Sequence, residues 1–390
     1  MKNIIYHTLF VLVLLPLVIC GCKEKQKKYD DHDFRIAMRN GDIETMRVCI
    51  ERGNTRDINI ELKSVSEFRD ISDEAYKYLL DIGADPNFKS YWEDGESGFL
   101  VAKVWSFALV DTYNNPGRTK MLIDYGADVN MNVEANANLL MYYIQIFYKQ
   151  SKNGDPAGIK GDILNSIRVL MEHGANTSFR GETGLTPMLL ALNYDTREVV
   201  ELLLEFGVEL SAEPVRVDFN YDPLGLREWD ENYGIVWQTD FLIMANCGYV
   251  DILMPYIENG VITPDHATPD GYDIYYHAAQ GGNPELMMQL LPYLKDINSK
   301  KYSLTRYSGA NLLHVAAING NGETAKVLLA NGIDPDSKVF DRGGFEYSAY
   351  YLADRKYDRV TRESVRRIIS NFNSSILSER RDYSEYKINK

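Results

Sequence analysis

The sequence predicts an all-α solenoid, a stack of helix–turn–helix units running through most of the chain. Three observations carry this expectation. Within "LLHVAAINGNGETAKVLLANGID", Leu313, Ala316 and Ala317 fall on one helical face at three- and four-residue steps, and Val327, Leu328 and Leu329 form a second apolar stripe. Gly320 and Gly332, twelve residues apart, stop the two helices, because glycine tolerates the left-handed conformation at a helix C-terminus. The same spacing recurs along the chain, the mark of stacked repeats. The alanines fit that architecture, since helices approach closely only where side chains are small.

In chain order, Gly41 and Gly53 bracket "GDIETMRVCIERG" as the first unit. The second, near residues 65–87, keeps only its ending, "YLLDIGADPN", and has lost most of its first-helix signature. "MLIDYGADVN" closes the third at Asn130 and "VLMEHGANTS" the fourth at Ser178, with an excess stretch, "KQSKNGDPAGIKGD", between the fourth unit's helices. The fifth, "TPMLLALNYDTREVVELLLEFG", has Asp195 where the inner glycine belongs. More residues than one turn needs then separate Gly207 from Thr239, giving an insertion at 211–237. Gly248 and Gly260 bracket the sixth unit; the seventh has Ala278, Ala279 and Gly282 in register but Leu294 for its closing glycine. After the unit beginning at Leu312, "FEYSAYYLADRKYDRVTRESVRRIISNF" keeps Ala353 but has Lys356 for glycine and many charges. That polarity suits a terminal repeat, whose outer face meets water. The count is eight to nine units.

These motifs resemble those of the ankyrin-repeat family, whose unit of about 33 residues reads T-P-L-H-x-A, a glycine, V-x-x-L-L and G-A-D-x-N. Thr186-Pro187 with Ala191, "LLHVAAINGN", and Gly126 to Asn130 match most closely, and the resemblance covers residues 33–373. It implies a hairpin finger followed by two antiparallel helices, and protein binding through finger tips and inner helices. It also implies a turn-bracing hydrogen-bond role for His314.

The first residues, "MKNIIYHTLFVLVLLPLVICGCKEK", stand apart. Lys2 is a positive n-region, and Leu9 to Ile19 is apolar but too short for an ordinary spanning helix. Ile19-Cys20-Gly21-Cys22 resembles a bacterial lipobox, which makes residues 1–21 a lipoprotein signal peptide and Cys22 the lipidated N-terminus. An ordinary secretion signal or an uncleaved anchor are the other readings. Two or more acyl chains hold a protein firmly on a bilayer, so the expected location is the bacterial cell envelope. With Lys23 after the cysteine, the outer membrane is favoured where two membranes exist. Residues 22–32 read as a hydrophilic tether and 374–390 as a polar tail.

Formal charge is −14 over 390 residues. Phosphate neutralisation needs clustered Lys and Arg, so no nucleic-acid partner is expected. Cys49 and Cys247 fall in the first and sixth units, about 50 Å apart at roughly 10 Å per stacked helix. A disulfide needs Cα atoms within about 7 Å, so the repeats exclude an intramolecular bond.

The sequence holds no H-E-x-x-H, no G-x-S-x-G, no P-loop and no zinc-type cysteine spacing. It therefore names no catalytic residue, metal site or cofactor. His277 reads as packed, and Asp30-Asp31 and Asp334/Asp336 as turn formers. Surface recognition remains. The insertion carries Tyr221, Asp222, Trp229, Asp230 and Tyr233, aromatic anchors among acids of the kind that populate interfaces. Its aromatics equally suit a cover over interrupted core, the reading favoured for Trp237. Tyr91 and Trp92 in "FKSYWEDGESG" and the finger residues Tyr302 and Phe340 complete the candidates. The expected function is a lipid-anchored scaffold that neutralises or positions a partner protein bearing a basic patch. The alternatives are an envelope hydrolase or peptidoglycan-modifying enzyme with an unrecognised site at 211–237, and a structural tether without a defined binding surface.

Overall fold

A computed structural model of the chain describes residues 30–53, 55–66, 68, 70–91, 105–134, 137–154, 158–181, 184–218, 235–304, 306–353 and 359–375. Among them, nine helical hairpins follow one another. The first three are α1 (Asp31–Asn40) with α2 (Ile43–Glu51), α3 (Ile58–Ser66) with α4 (Asp73–Asp81), and α5 (Ala108–Asp111) with α6 (Pro116–Asp124). The middle three are α7 (Leu139–Lys152) with α8 (Ile159–Glu172), α9 (Pro187–Asn193) with α10 (Arg197–Glu205), and α11 (Asp240–Cys247) with α12 (Val250–Glu258). The last three are α13 (Ile274–Gly281) with α14 (Pro284–Leu290), α15 (Leu312–Ile318) with α16 (Gly322–Ala330), and α17 (Ala349–Leu352) with α18 (Arg359–Ser375). First helices pack on first helices and second helices on second helices of adjoining units, as a solenoid requires. The helical body thus reaches two residues beyond each end of the expected 33–373 span. No described helix is long and apolar enough to cross a membrane. Residues 1–21, expected to be a signal peptide, Cys22 and the segment beyond Ser375 lie outside the described residues.

Fingers join the hairpins. Between units stand four short antiparallel pairings: β1 (Ser90–Tyr91) with β2 (Trp105–Ser106), β3 (Asn132–Glu134) with β4 (Ala137–Asn138), β5 (Val215–Asp218) with β6 (Ile235–Gln238), and β7 (Tyr302–Leu304) with β8 (Tyr307–Ala310). The ninth unit's finger, β9 (Lys338–Asp341) with β10 (Glu346–Ser348), pairs through β9 with β8. The last two fingers therefore form one sheet in the order β7-β8-β9-β10.

The recurrent motif letters have physical jobs. Thr186, Thr239, Asp273 and Asn311 stand at the same position and cap first helices by accepting the N–H of Leu189, Leu242, Tyr276 and His314. The final Asn of G-A-D-x-N reaches the next unit's turn. Asn87 donates to the Gly126 carbonyl and accepts from the Asp128 N–H, each at 2.8 Å. Asn130 does the same with Gly174 and Asn176, and Asn298 with Gly332 and Asp334. Ser178, Ser211 and Pro264 hold that position in the fourth to sixth units, so this ladder is interrupted around the insertion.

The second unit differs from the expectation. Its first helix begins at Ile58, well before residue 65, and buries Glu61, Lys63 and Ser66. What organises it comes from the next unit. The guanidinium of Arg118, 2% exposed, donates to the carbonyls of Val65 (3.3 Å), Phe68 (2.6 Å) and Ile71 and to Asp73 Oδ1 (2.9 Å), and lies over the Tyr76 ring. A planar fork with five donors can satisfy several carbonyls that no regular helix end would. In the fourth unit the excess residues lengthen both helices to 14 residues instead of forming a long loop.

Both thiols are free, Cys49 buried in the first unit and Cys247 half-buried in the sixth. Burial, reinforced by Asp195, pushes the Cys247 thiol up to about 12, which leaves it protonated and inert.

Candidate interaction surface

The most elaborate side-chain cluster lies where the fingers of the last three units meet their first helices. Asp273, buried at 2%, starts it. As the α13 cap it accepts the Tyr276 N–H (2.9 Å), and its carboxylate also takes the Tyr302 hydroxyl (2.8 Å) and the Lys301 ammonium. A buried charge needs that many donors. Burial, then the Asp273 charge, raises the Tyr302 phenol above its usual range, so it stays a donor. Tyr276 stacks obliquely between Tyr272 (4.4 Å between centroids) and Tyr302 (5.2 Å), and the Tyr272 hydroxyl donates to the Ser303 carbonyl at 2.6 Å. His277 packs edge-on to Tyr276, and burial holds its imidazole down at about 4, hence neutral.

One unit on, His314 occupies the place of Tyr276. Its Nε2 meets the Ser337 carbonyl at 3.0 Å, bracing the next finger, while its backbone N–H donates to Asn311. Burial lowers it to about 4. The bracing role implied for this residue is what the geometry displays.

In the ninth unit Tyr351 takes the equivalent position. Its ring lies 4.9 Å from Tyr347, which lies 5.3 Å from Tyr307. The Tyr347 hydroxyl donates to Asp341 Oδ2 (2.9 Å), while Asp341 Oδ1 accepts the N–H of Gly343 and Phe345 at the finger tip. Those backbone donors, Phe345 first, hold the Asp341 carboxyl below its ordinary value. The turn presents Phe345 at 68% exposure, with Phe340, Tyr350 and Tyr351 each just over 40% exposed nearby in the chain. A rigid, hydrogen-bonded base with exposed aromatics is suited to contact, since aromatic anchors lose little entropy on binding.

The sequence candidates divide. Tyr221, Asp222, Trp229, Asp230, Tyr233 and Trp92 lie outside the described residues, as does the Tyr91 side chain. Around them the described stem runs from Val215 paired with Gln238 to Asp218 paired with Ile235, and Val215 and Val217 join the core. Trp237 is 37% exposed opposite Arg216, so it covers core less than expected. Phe340 lies at the surface. Tyr302 does not: at 2% exposure it serves the Asp273 cluster from inside, because a buried helix-capping carboxylate needs its hydroxyl. Tyr272, Tyr276, Tyr347 and Tyr351 were missed. The available signal was tyrosine recurring at the third position after the cap residue, at 276 and 351.

Among the described residues no group of three or more His, Cys, Asp or Glu side chains is placed to hold a metal ion. Residues 241–339 match the family model for ankyrin repeats, in three copies. The chain is similar in structure to the human ASB11 ankyrin repeat domain, at 18% sequence identity over 68% of this chain and 96% of that one, with a TM-score of 0.42. No curated protein matches. The fold is the ankyrin-repeat fold, a mostly helical array of helix–turn–helix units.

Proposed function

We propose that the chain is a non-enzymatic interaction scaffold of the bacterial cell envelope, fastened to lipid through Cys22, that binds a partner protein along its finger–helix corner. The ankyrin repeats support the general role of protein–protein interaction. The observation that carries the finer reading is the Tyr307–Tyr347–Tyr351 cluster, which fixes the ninth finger while leaving Phe345, Phe340 and Tyr351 exposed. The formal charge of −14 favours a partner with a basic patch. The corner itself is mixed in sign, with Arg306 and Arg342 beside Asp341 and Glu346, so its aromatics supply most of the anchoring. The insertion, with Trp229 and Asp230 outside the described residues, is the second contact region. Holding or neutralising the partner at the membrane surface is the task this arrangement suits.

Affinity capture from crosslinked intact envelopes tests the reading. The double variant Phe345→Ala/Tyr351→Ala should reduce recovery of a stoichiometric partner at least tenfold, the loss expected for interface anchors, with unchanged helical circular dichroism. Trp229→Ala/Asp230→Ala should weaken the same partner. Retention of every partner by both variants would sink the proposal. Cys22→Ala should move the protein to the soluble fraction and abolish fatty-acid labelling.

A further inference from the structure

The outer surface of the second helices carries a ladder of ion pairs that stops partway along the array. Lys160 of α8 pairs with Glu198 of α10, and Arg168 of α8 with Glu205. Arg197 of α10 then pairs with Asp251 of α12. Each contact joins a cation to an acid one unit further on. The next rung lacks its cation, because residues 239–294, the sixth and seventh units, hold seven Asp and Glu and no Lys or Arg. Glu258 at the end of α12 and Glu285 at the start of α14 are exposed and make no ion pair among the described residues.

The opposite charge stands two units on. α18 carries four arginines, Arg359, Arg362, Arg366 and Arg367, and one acid, Glu363. Its apolar face, Val365, Ile368 and Ile369, is buried in the stack, which leaves Arg359, Glu363 and Arg367 exposed on the far side. Arg359 first, and then Arg362 and Arg366, holds the Glu363 carboxyl below its ordinary value. Between the acidic and basic helices lies α16, whose Glu323 and Lys326 pair with each other. Tyr293 after α14 and Val360 on α18 add exposed apolar surface.

Within one chain the two patches cannot meet, since α14 and α18 are two packing steps of about 10 Å apart. Between two chains they can. An acidic block beside a basic one is self-complementary under a twofold axis. An axis parallel to the helices and passing near α16 lays each α18 across from α12 and α14 of the other copy, so both attractions form together.

We propose that a second copy of this chain docks on the α12–α18 surface in antiparallel order along the stack, Arg359 and Arg367 of each copy facing Glu258 and Glu285 of the other. The second copy supplies the rung that the sixth and seventh units lack. Four helices about 10 Å apart and mostly about 13 Å long offer roughly 500 Å² per copy. That is the small end for a specific interface, so the dimer is weak and sensitive to salt. The inference does not rest on the partner proposed above, and it leaves the finger–helix corner open.

Sedimentation velocity of the mature protein carrying Cys22→Ala tests it. The parent should pass from monomer to dimer as its concentration rises at about 0.05 M salt, and revert at about 0.5 M, where exposed charges are screened within a few ångströms. Arg359→Glu/Arg367→Glu and Glu258→Lys/Glu285→Lys should each weaken dimerisation at least tenfold, as like charges then face each other, with unchanged circular dichroism. Mixed in equal amounts, the two variants should recover the dimer, because every α18 again faces charge of opposite sign. A parent that stays monomeric at low salt overturns the proposal. So does a dimer that both variants retain, or a mixture no more associated than its components, because the contact then lies elsewhere or is not reciprocal.

Discussion

The phenol of Tyr249 donates a 2.8 Å hydrogen bond to Oδ1 of Asp195, joining the sixth unit to the fifth at an unusual backbone position. Asp195 is the one non-glycine among the described residues in the left-handed region, with φ 51°. The first, sixth, seventh and eighth units place a glycine there, Gly41, Gly248, Gly282 and Gly320. Aspartate tolerates this conformation better than most residues, and its carboxylate gives the sixth unit a partner. Burial, and then Asp195, raises the Tyr249 phenol, which keeps it a donor. Hydrogen bonds to charged groups contribute about 1.5–3 kcal/mol. Tyr249→Phe should lose that much in urea unfolding. Asp195→Gly should lose less, because it removes the backbone strain together with the bond.

Arg118 makes the second unit depend on the third. Removing its side chain leaves the Phe68 and Ile71 carbonyls without this donor and the Val65 carbonyl with only the Phe68 N–H, at about 1–3 kcal/mol for each one left buried and unpaired. Arg118→Met should therefore lower stability by about 3 kcal/mol or more. Hydrogen exchange should quicken in residues 58–81 and stay unchanged beyond Thr239. Arg118→Lys should not rescue it, because one ammonium cannot span the carbonyls a guanidinium fork reaches. Full stability in Arg118→Lys would refute the clamp.

Asp240 links the insertion to pH. Its Oδ2 accepts the Ser211 N–H at 2.7 Å where the insertion begins, and its own N–H donates back to the Ser211 carbonyl. Burial pushes its carboxyl up to about 6 from 3.8, opposed by the Ser211 bond and by Arg180. A carboxyl raised on folding contributes stability below its unfolded value and loses it as pH rises through about 6. At 1.36 kcal/mol per unit the loss is at most about 3 kcal/mol. Asp240→Asn keeps an acceptor for Ser211 without the charge. The variant should match the parent near pH 4 and melt higher at pH 7.5. His277 and His314, lowered to about 4, act oppositely, contributing stability above pH 6.5 that fades as pH falls through about 4. The difference between variant and parent, not the parent curve, is therefore the diagnostic. A difference independent of pH would exclude Asp240 as its source.

What was legible in the sequence is what repeats locally. The cap position of Thr186 and Asn311, the stops at Gly320 and Gly332, Asp195 standing for glycine and the bracing role of His314 all follow from short spacings. The second unit was illegible because Arg118 lies about fifty residues beyond the carbonyls it holds. The tyrosine corner was illegible for a related reason: Tyr307 and Tyr347 meet only because two fingers pair through β8 and β9. Tyr302 read as a surface anchor because aromatic residues in fingers commonly are. Nothing near it in the chain announces that Asp273 is buried and takes its hydroxyl.

Close packing between first helices gives the last prediction. A Cβ on Gly281 would stand 1.7 Å from the Asn246 carbonyl oxygen of α11, a backbone atom that cannot move aside. At Gly260, φ is 70° and a Cβ would meet nothing within 4 Å. The two glycines separate two reasons for the residue. Gly260→Ala should cost about 1–2 kcal/mol, the penalty for a left-handed alanine, with the packing unchanged. Gly281→Ala must push α13 away from α11, and overpacking of that severity costs about 3 kcal/mol. The displacement should also appear as faster exchange of the α11 amides, which Gly260→Ala leaves protected. If Gly281→Ala proves as mild as Gly260→Ala, the two helices do not approach as closely as the stack requires.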